Sequence, residues 1–221
     1  VGRDDATRRE SPLVRDGERL YLRRYWQYEQ DVALALHQRA QPEHATLPAL
    51  PDWLQQGQAD GPSADWQQLA CALALRGRLT LITGGPGTGK TTTVVRLLAA
   101  LLEQPGGAQL AIGLAAPTGK AAARMAEAIR NAKAELPVSE AIKAALPEEA
   151  RTLHRLLGSR GDTPKVRHNA ARPLALDVLV VDEASMVDLA LMAKLVDALP
   201  PHARLILLGD KDQRAAVEAG A

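Results

Sequence analysis

The eight residues GGPGTGKT, Gly84 to Thr91, constrain this chain more than any other stretch. They fit the pattern G-x-x-x-x-G-K-S/T and stand between an apolar run, LTLIT (Leu79 to Thr83), and an amphipathic segment from Thr91 to about Gln104. Glycines at such positions let the backbone curl until successive N–H groups point inward, where they meet phosphate oxygens. The start of the following helix adds the positive end of its dipole. Gly84, Gly85, Pro86, Gly87, Thr88 and Gly89 are thus the expected cradle. Lys90 would reach the outer phosphates as a point charge, and Thr91, with Thr92 beside it, would offer a hydroxyl to Mg²⁺. At average residue frequencies the pattern arises by chance in roughly one in a hundred chains of this length, and the strand-to-helix context lowers that further. The residues imply binding of ATP or a similar nucleotide.

A strand and a helix flanking a phosphate loop belong to an α/β sheet, and the chain repeats the alternation. LAIGLAA (Leu110 to Ala116) reads as a second strand. A helix follows, with Ala121, Met125, Ala128, Ile129 and Ala132 on one face and Lys120, Arg124, Glu127 and Lys133 turned away. VLVV (Val178 to Val181) is apolar without interruption, as a parallel strand covered on both faces must be. Leu189, Met192, Val196 and Leu199 stripe the next helix, and LILL (Leu205 to Leu208) is a fourth strand. The expected fold is a doubly wound α/β sheet with helices on both faces. Its core must be aliphatic, because the chain has 40 Ala and 34 Leu but no Phe. No run of eighteen apolar residues occurs, which excludes a transmembrane helix. Cys71 stands alone and cannot form an internal disulfide. With 27 basic and 26 acidic side chains, bulk charge says nothing for nucleic acid, and any such contact must come from local patches.

In doubly wound sheets ligands sit beyond the carboxyl ends of the strands, and every other chemical signal falls there. VLVV runs into Asp182-Glu183, where Asp182 would hold Mg²⁺ and Glu183 would act as general base on the attacking water. Acids at a helix start favour its dipole, which is the plainer account of this pair; the cradle upstream outweighs it. GDKDQ, Gly209 to Gln213, follows the fourth strand, and Gln213 could hydrogen-bond a γ-phosphate without itself titrating. APTGKAAAR (Ala116 to Arg124) makes a second phosphate-friendly loop at Thr118 and Lys120, which suggests a phosphodiester chain. Arg151, Arg155, Arg160, Lys165, Arg167 and Arg172 stand against one Asp162, a local charge of +5 that is either a grip on a polymer or a solvated loop. No aromatic residue follows Trp66, so base stacking cannot come from this half.

Upstream the organisation loosens. Asp16-Gly17 between short apolar runs predicts a hairpin over 13–22, and Tyr25, Tyr28, Val32, Ala35 and Leu36 predict a helix to about Arg39. Residues 41–61 are rich in Gln, Pro, Asp and Gly and read as a loosely packed connection. The expected division is residues 1–45 as part of an N-terminal contact domain, 46–61 as a linker and 62–221 as the main domain. Val1 at the start and Gly220-Ala221 at the end suggest a piece of a longer protein.

DWQQLACALAL, GGPGTGKTTT, LAAPTGKAAARM, ARTLHRLLG, LDVLVVDEASMVD and LLGDKDQRAAVEAGA, in this order, resemble the RecD family, alpha subunits of exodeoxyribonuclease V and superfamily 1B DNA helicases. The likeness covers about Asp65 to Ala221 and, more loosely, Leu20 to Arg39. It implies a RecA-like motor domain, ATP and Mg²⁺ as cofactors, and 5′-to-3′ helicase activity in double-strand break repair and recombination. It also implies single-stranded DNA and RecB-like and RecC-like subunits as partners, in the cytoplasm. By the resemblance Gln67 reads adenine, Lys90 and Thr91 form the Walker A pair and Asp182 and Glu183 the Walker B pair. Gln213 matches the γ-phosphate sensor, while Thr118, Lys120, His154 and Arg155 match positions near the DNA strand. The family's second RecA-like domain, with its arginine fingers, lies beyond this sequence. Two other readings are an AAA-type protein-remodelling ATPase and a nucleotide-binding docking subunit without its own motor activity; APTGKAA and GDKDQ speak against the first.

Overall fold

A computed structural model describes residues 11–41, 49–55, 66–85, 87–159 and 165–210. The expected hairpin is present as β1 (Leu13–Asp16) and antiparallel β2 (Arg19–Leu22). Asp16 pairs with Arg19, so the turn residues are Gly17 and Glu18, one position later than the sequence suggested, with Gly17 at φ +57°. Helix α1 (Arg23–Ala40) follows directly. In the stretch expected to link two domains, α2 (Asp52–Gln55) carries Leu54, buried in the main core, and Trp53 Nε1 donates to Glu103 Oε2 at 2.9 Å. These residues are seated on the main domain.

From there α3 (Trp66–Arg76), β3 (Leu79–Thr83) and α4 (Lys90–Glu103) lead to β4 (Ile112–Ala116) and α5 (Gly119–Ala134). Helix α6 (Glu140–Ala145), β5 (Ala150–Thr152) and α7 (Leu153–Leu157) come next, then β6 (Val178–Val181), α8 (Leu189–Ala198) and β7 (Arg204–Gly209). Five strands form one sheet in the order β3-β7-β6-β4-β5, and every pairing is parallel. Period-two alternation splits each apolar run between two cores. Val178, Val180, Ile206, Leu208 and Leu114 face α3, α4 and α5, whereas Leu179, Val181, Leu205, Leu207 and Ala115 face α7 and α8. That is why the central strands need to be apolar at every position.

The stripe expected on α8 is turned by about one residue. Leu191, Leu195 and Ala198 press on the sheet, and Val196 is buried too, because α1 packs across the outer side of α8. A helix covered on both sides is apolar nearly all round, so its periodicity points to no single face. The two helices are fastened at their C-terminal ends by Arg39, a buried cation. Its Nη2 donates to the carbonyls of Leu199 at 2.9 Å and Pro200 at 3.1 Å, and Nη1 to Ala35 at 3.2 Å. Burial, with Arg78 nearby, lowers the Arg39 pKa from its ordinary value, and the carbonyls compensate the lost hydration. Lys133, expected to face away on α5, instead pairs with Glu148, and this hydrogen bond and charge hold the Glu148 carboxyl below its usual range.

One glycine is fixed by crowding. After α4 the chain doubles back so tightly that a Cβ on Gly107 would stand 2.2 Å from the Leu101 carbonyl oxygen and 2.5 Å from that of Leu102. Gly107→Ala therefore requires the backbone to move and should destabilise the domain by about 2–3 kcal/mol, read as a lowered thermal midpoint. An unchanged midpoint would mean that the turn yields freely.

Candidate functional site

All five strands point the same way, so their carboxyl ends share one edge. Beyond β3 the backbone turns at Gly84, whose N–H donates to Gly209 O at 3.2 Å and ties the loop to the end of β7. Thr88 Oγ1 donates to Gly85 O at 2.8 Å and folds the loop on itself. A Cβ on Gly84 would lie 2.6 Å from that hydroxyl, so a larger residue would have to displace the Thr88 side chain from its bond to Gly85. Gly87 and Gly89 adopt φ of +75° and +79°, a conformation that glycine takes at no steric cost. Pro86 lies outside the described residues.

The start of α4 could receive an anion. Helices α5, α6, α7 and α8 are each capped by a side-chain oxygen, from Thr118, Ser139, Thr152 and Asp188. Helix α4 instead has Gly89 at its N-terminal cap and, like α1 after Leu22, no side chain capping it. Its first N–H groups face the loop without an internal acceptor, the arrangement that phosphate oxygens satisfy. Lys90 Nζ lies in the concavity, donating to Gly84 O and, at 2.8 Å, to Gly85 O. Thr91 and Thr92 are on the first turn, Thr91 half-buried and Thr92 exposed. Thr93, absent from the expected set, is buried and donates from Oγ1 to Gly89 O at 3.1 Å, bracing the loop from behind.

Gln67 comes to the same place from the first turn of α3. Its Nε2 is 3.0 Å from where a Cβ on Gly89 would sit, and its Oε1 accepts from Arg96 Nη1 at 2.9 Å. Arg96 was not foreseen. Position 96 lies two turns into α4, and only the packing of α3 on α4 brings it to Gln67.

Two strands away, about 10 Å along the edge at the usual inter-strand spacing, β6 delivers Asp182 and Glu183. Asp182 Oδ1 accepts from the Glu183 N–H at 2.8 Å. Glu183 sits at φ +50°, ψ +40°, the only non-glycine with positive φ among the described residues. The left-handed region costs such a residue about 1–2 kcal/mol, and such strain collects at working sites. Gln213 lies outside the described residues; its loop is described only to Gly209 and the buried Asp210.

The oxygen set at this edge, one hydroxyl and one carboxylate, suits a hard cation. Among the described residues no group of three or more His, Cys, Asp or Glu could hold a metal ion unaided. An ion here would draw its remaining ligands from phosphate and water, as Mg²⁺ does.

Farther along, β4 and β5 end at two capped helix starts. Thr118 Oγ1 accepts from Ala121 N at 3.2 Å, which leaves its own proton free to donate; Thr118 and Lys120 are exposed. Thr152 Oγ1 accepts from Arg155 N at 3.2 Å, and His154 and Arg155 are exposed on α7. The basic run from Arg151 to Arg172 is not one patch. Arg151 and Arg155 stand at the carboxyl edge, whereas the chain near Arg172 has crossed to the opposite edge. There Ala170 N donates to Asp197 Oδ2 at 3.2 Å and Leu174 N to Ala198 O at 2.8 Å. Arg160 and Asp162 lie outside the described residues.

Residues 67–219 match the family described as AAA domain. The chain belongs to the AAA domain family. The matched span of this AAA domain runs from Gln67 through the cradle and the acidic pair. The chain is 53% identical over 161 residues to the RecBCD enzyme subunit RecD of Haemophilus influenzae, covering 71% of this chain and 25% of that protein. It is 49% identical over 212 residues to RecD of Mycolicibacterium smegmatis, covering 93% and 37%. A third relative, the ATP-dependent RecD2 DNA helicase of Deinococcus radiodurans, is 44% identical over 143 residues, covering 65% and 17%. The chain thus spans between a quarter and three-eighths of the length of these RecD relatives. The expected RecD resemblance holds, and an AAA domain is a nucleotide-binding unit. Among the described residues no helix is long and apolar enough to cross a membrane.

Proposed function

We propose that this chain is the ATP-binding first motor domain of a RecD-like, ATP-dependent 5′-to-3′ DNA helicase that serves double-strand break repair and recombination. One observation supports this most. Five parallel strands bring the cradle, the acidic pair and two basic helix starts to a single edge, so nucleotide and polymer sites share one rigid sheet.

In this reading Gly84 to Gly89 and the start of α4 hold the triphosphate, Lys90 neutralises its outer oxygens, and Gln67 reads the base. Thr91 and Asp182 are the residues that would hold Mg²⁺, which would supply charge neutralisation for the outer phosphates. Glu183 takes a proton from the attacking water, and Gln213 senses the γ-phosphate. Thr118, Lys120, His154 and Arg155 form a rim about 14–19 Å from β3, counted in strand spacings. They grip a single strand mainly by its backbone, since none of them is Phe, Tyr or Trp and only His154 carries a ring. Residues 62–221 make up the motor domain, and the hairpin with α1 belongs to a contact domain for RecB-like and RecC-like subunits in the cytoplasm.

Turnover of ATP by the full-length protein should rise severalfold on addition of single-stranded DNA and fall back as salt weakens the phosphate contacts. Equal rates with and without DNA would favour the protein-remodelling reading instead.

A further inference from the structure

Gln67 is a carboxamide, and a carboxamide can present either end to a neighbour. An amide that reads a purine by its N6/N7 edge must offer its oxygen to the adenine N6 amino group and its NH₂ to N7. Turned over, the same amide would put NH₂ against position 6 and oxygen against N7, which loses both adenine contacts but only exchanges one guanine contact for another, since O6 and N7 both accept. Something must therefore hold the amide one way round.

We propose that Arg96 is that positioning residue and that it sets the preference for adenine over guanine; this rests on the reading of Gln67 as the base-contacting side chain. A guanidinium has donors only, so Arg96 Nη1, at 2.9 Å, can pair with the Gln67 oxygen and never with its nitrogen. The orientation is fixed by chemistry. Consistent with it, Nε2 is the end turned to the cradle, 3.0 Å from the Cβ position of Gly89. An amide oxygen has two lone pairs, so Oε1 can keep Arg96 and still accept from an N6 amino group. Guanine would bring O6 against that oxygen, acceptor against acceptor. Both partners are half-buried, and the packing of α3 on α4 sets their separation, so the pair is held by the same core that shapes the cradle.

The test is equilibrium binding of ADP and GDP, each with Mg²⁺, to full-length protein, with thermal midpoints as a check on folding. Arg96→Met, which keeps length and loses the donors, should weaken ADP binding by roughly two- to tenfold, the cost of ordering a freed side chain on binding. GDP binding should stay level or tighten, so the ADP/GDP ratio falls. Arg96→Lys, still a donor-only cation, should restore most of the ratio. Gln67→Ala should abolish it, and adding Arg96→Met to Gln67→Ala should change nothing more. If Arg96→Met keeps the wild-type ratio while Gln67→Ala loses it, the role of Arg96 is overturned and that of Gln67 stands. If Gln67→Ala also keeps the ratio, the base-reading role itself fails.

Discussion

Lys90→Ala is expected to lower ATP hydrolysis by the full-length protein on the order of a thousandfold. The side chain has two tasks in this geometry. Its ammonium donates to Gly84 and Gly85 carbonyls, which draws the loop around it, and it offers a positive charge where the leaving and transferring oxygens gather negative charge. Alanine removes both. The charge matters more, because α4 supplies only the fractional charge of its dipole and no side-chain cap competes for the site. Lys90→Arg should recover little: a planar fork with five donors does not fit where a compact ammonium lies between two carbonyls. Steady-state turnover with single-stranded DNA present, alongside the thermal midpoint, decides the matter. A correctly folded Lys90→Ala protein with near-normal turnover would contradict the cradle assignment.

The second large effect is expected at Glu183, where binding and chemistry should separate. Glu183→Gln keeps size, shape and the left-handed backbone but loses the basic oxygen. Turnover should drop by about 10²–10⁴, the usual worth of a general base, while nucleotide affinity stays within a fewfold of wild type. The conformation at φ +50° is in keeping with the proposed role. A β6 continuing in extended form would carry Glu183 onward past Asp182; the left-handed turn checks the chain, and Asp182 Oδ1 braces it by accepting the Glu183 N–H. Glu183→Gly therefore serves as a companion. It removes the backbone strain, so the thermal midpoint should hold or rise, yet turnover should fall as far as in Glu183→Gln. Equal turnover in wild type and Glu183→Gln would transfer the base role to another group.

How much of this was legible in the amino-acid order depended on how local the signal was. β6 and β7 were plain because a strand buried on both faces has to be apolar throughout, and the acid or glycine that follows each one marks its end. The cradle was plain because backbone curvature requires glycine at particular places. The three-residue β5 was hidden: Ala150, Arg151 and Thr152 have no apolar run, and only pairing with Leu114, Ala115 and Ala116 makes them a strand. The face of α8 was legible only in part, at Met192, Val196 and Leu199, because a helix covered on both sides has no polar half to orient it. Local order also could not show that residues 151–172 travel from one sheet edge to the other, which divides charges that look contiguous in the row. Arg96 and Gln67 lie 29 positions apart and meet only through the packing of two helices, while the backbone angle of Glu183 leaves no mark in composition.

Arg39 gives the domain a mechanical character. The knot it ties, between the last turn of α1 and the carbonyls of Leu199 and Pro200, stands at the far end of β7 from Gly209, and Gly209 in turn holds the loop at Gly84. The N-terminal helix is thus joined by hydrogen bonds to the chain that enters one end of an interior strand, and the other end of that strand holds the cradle loop.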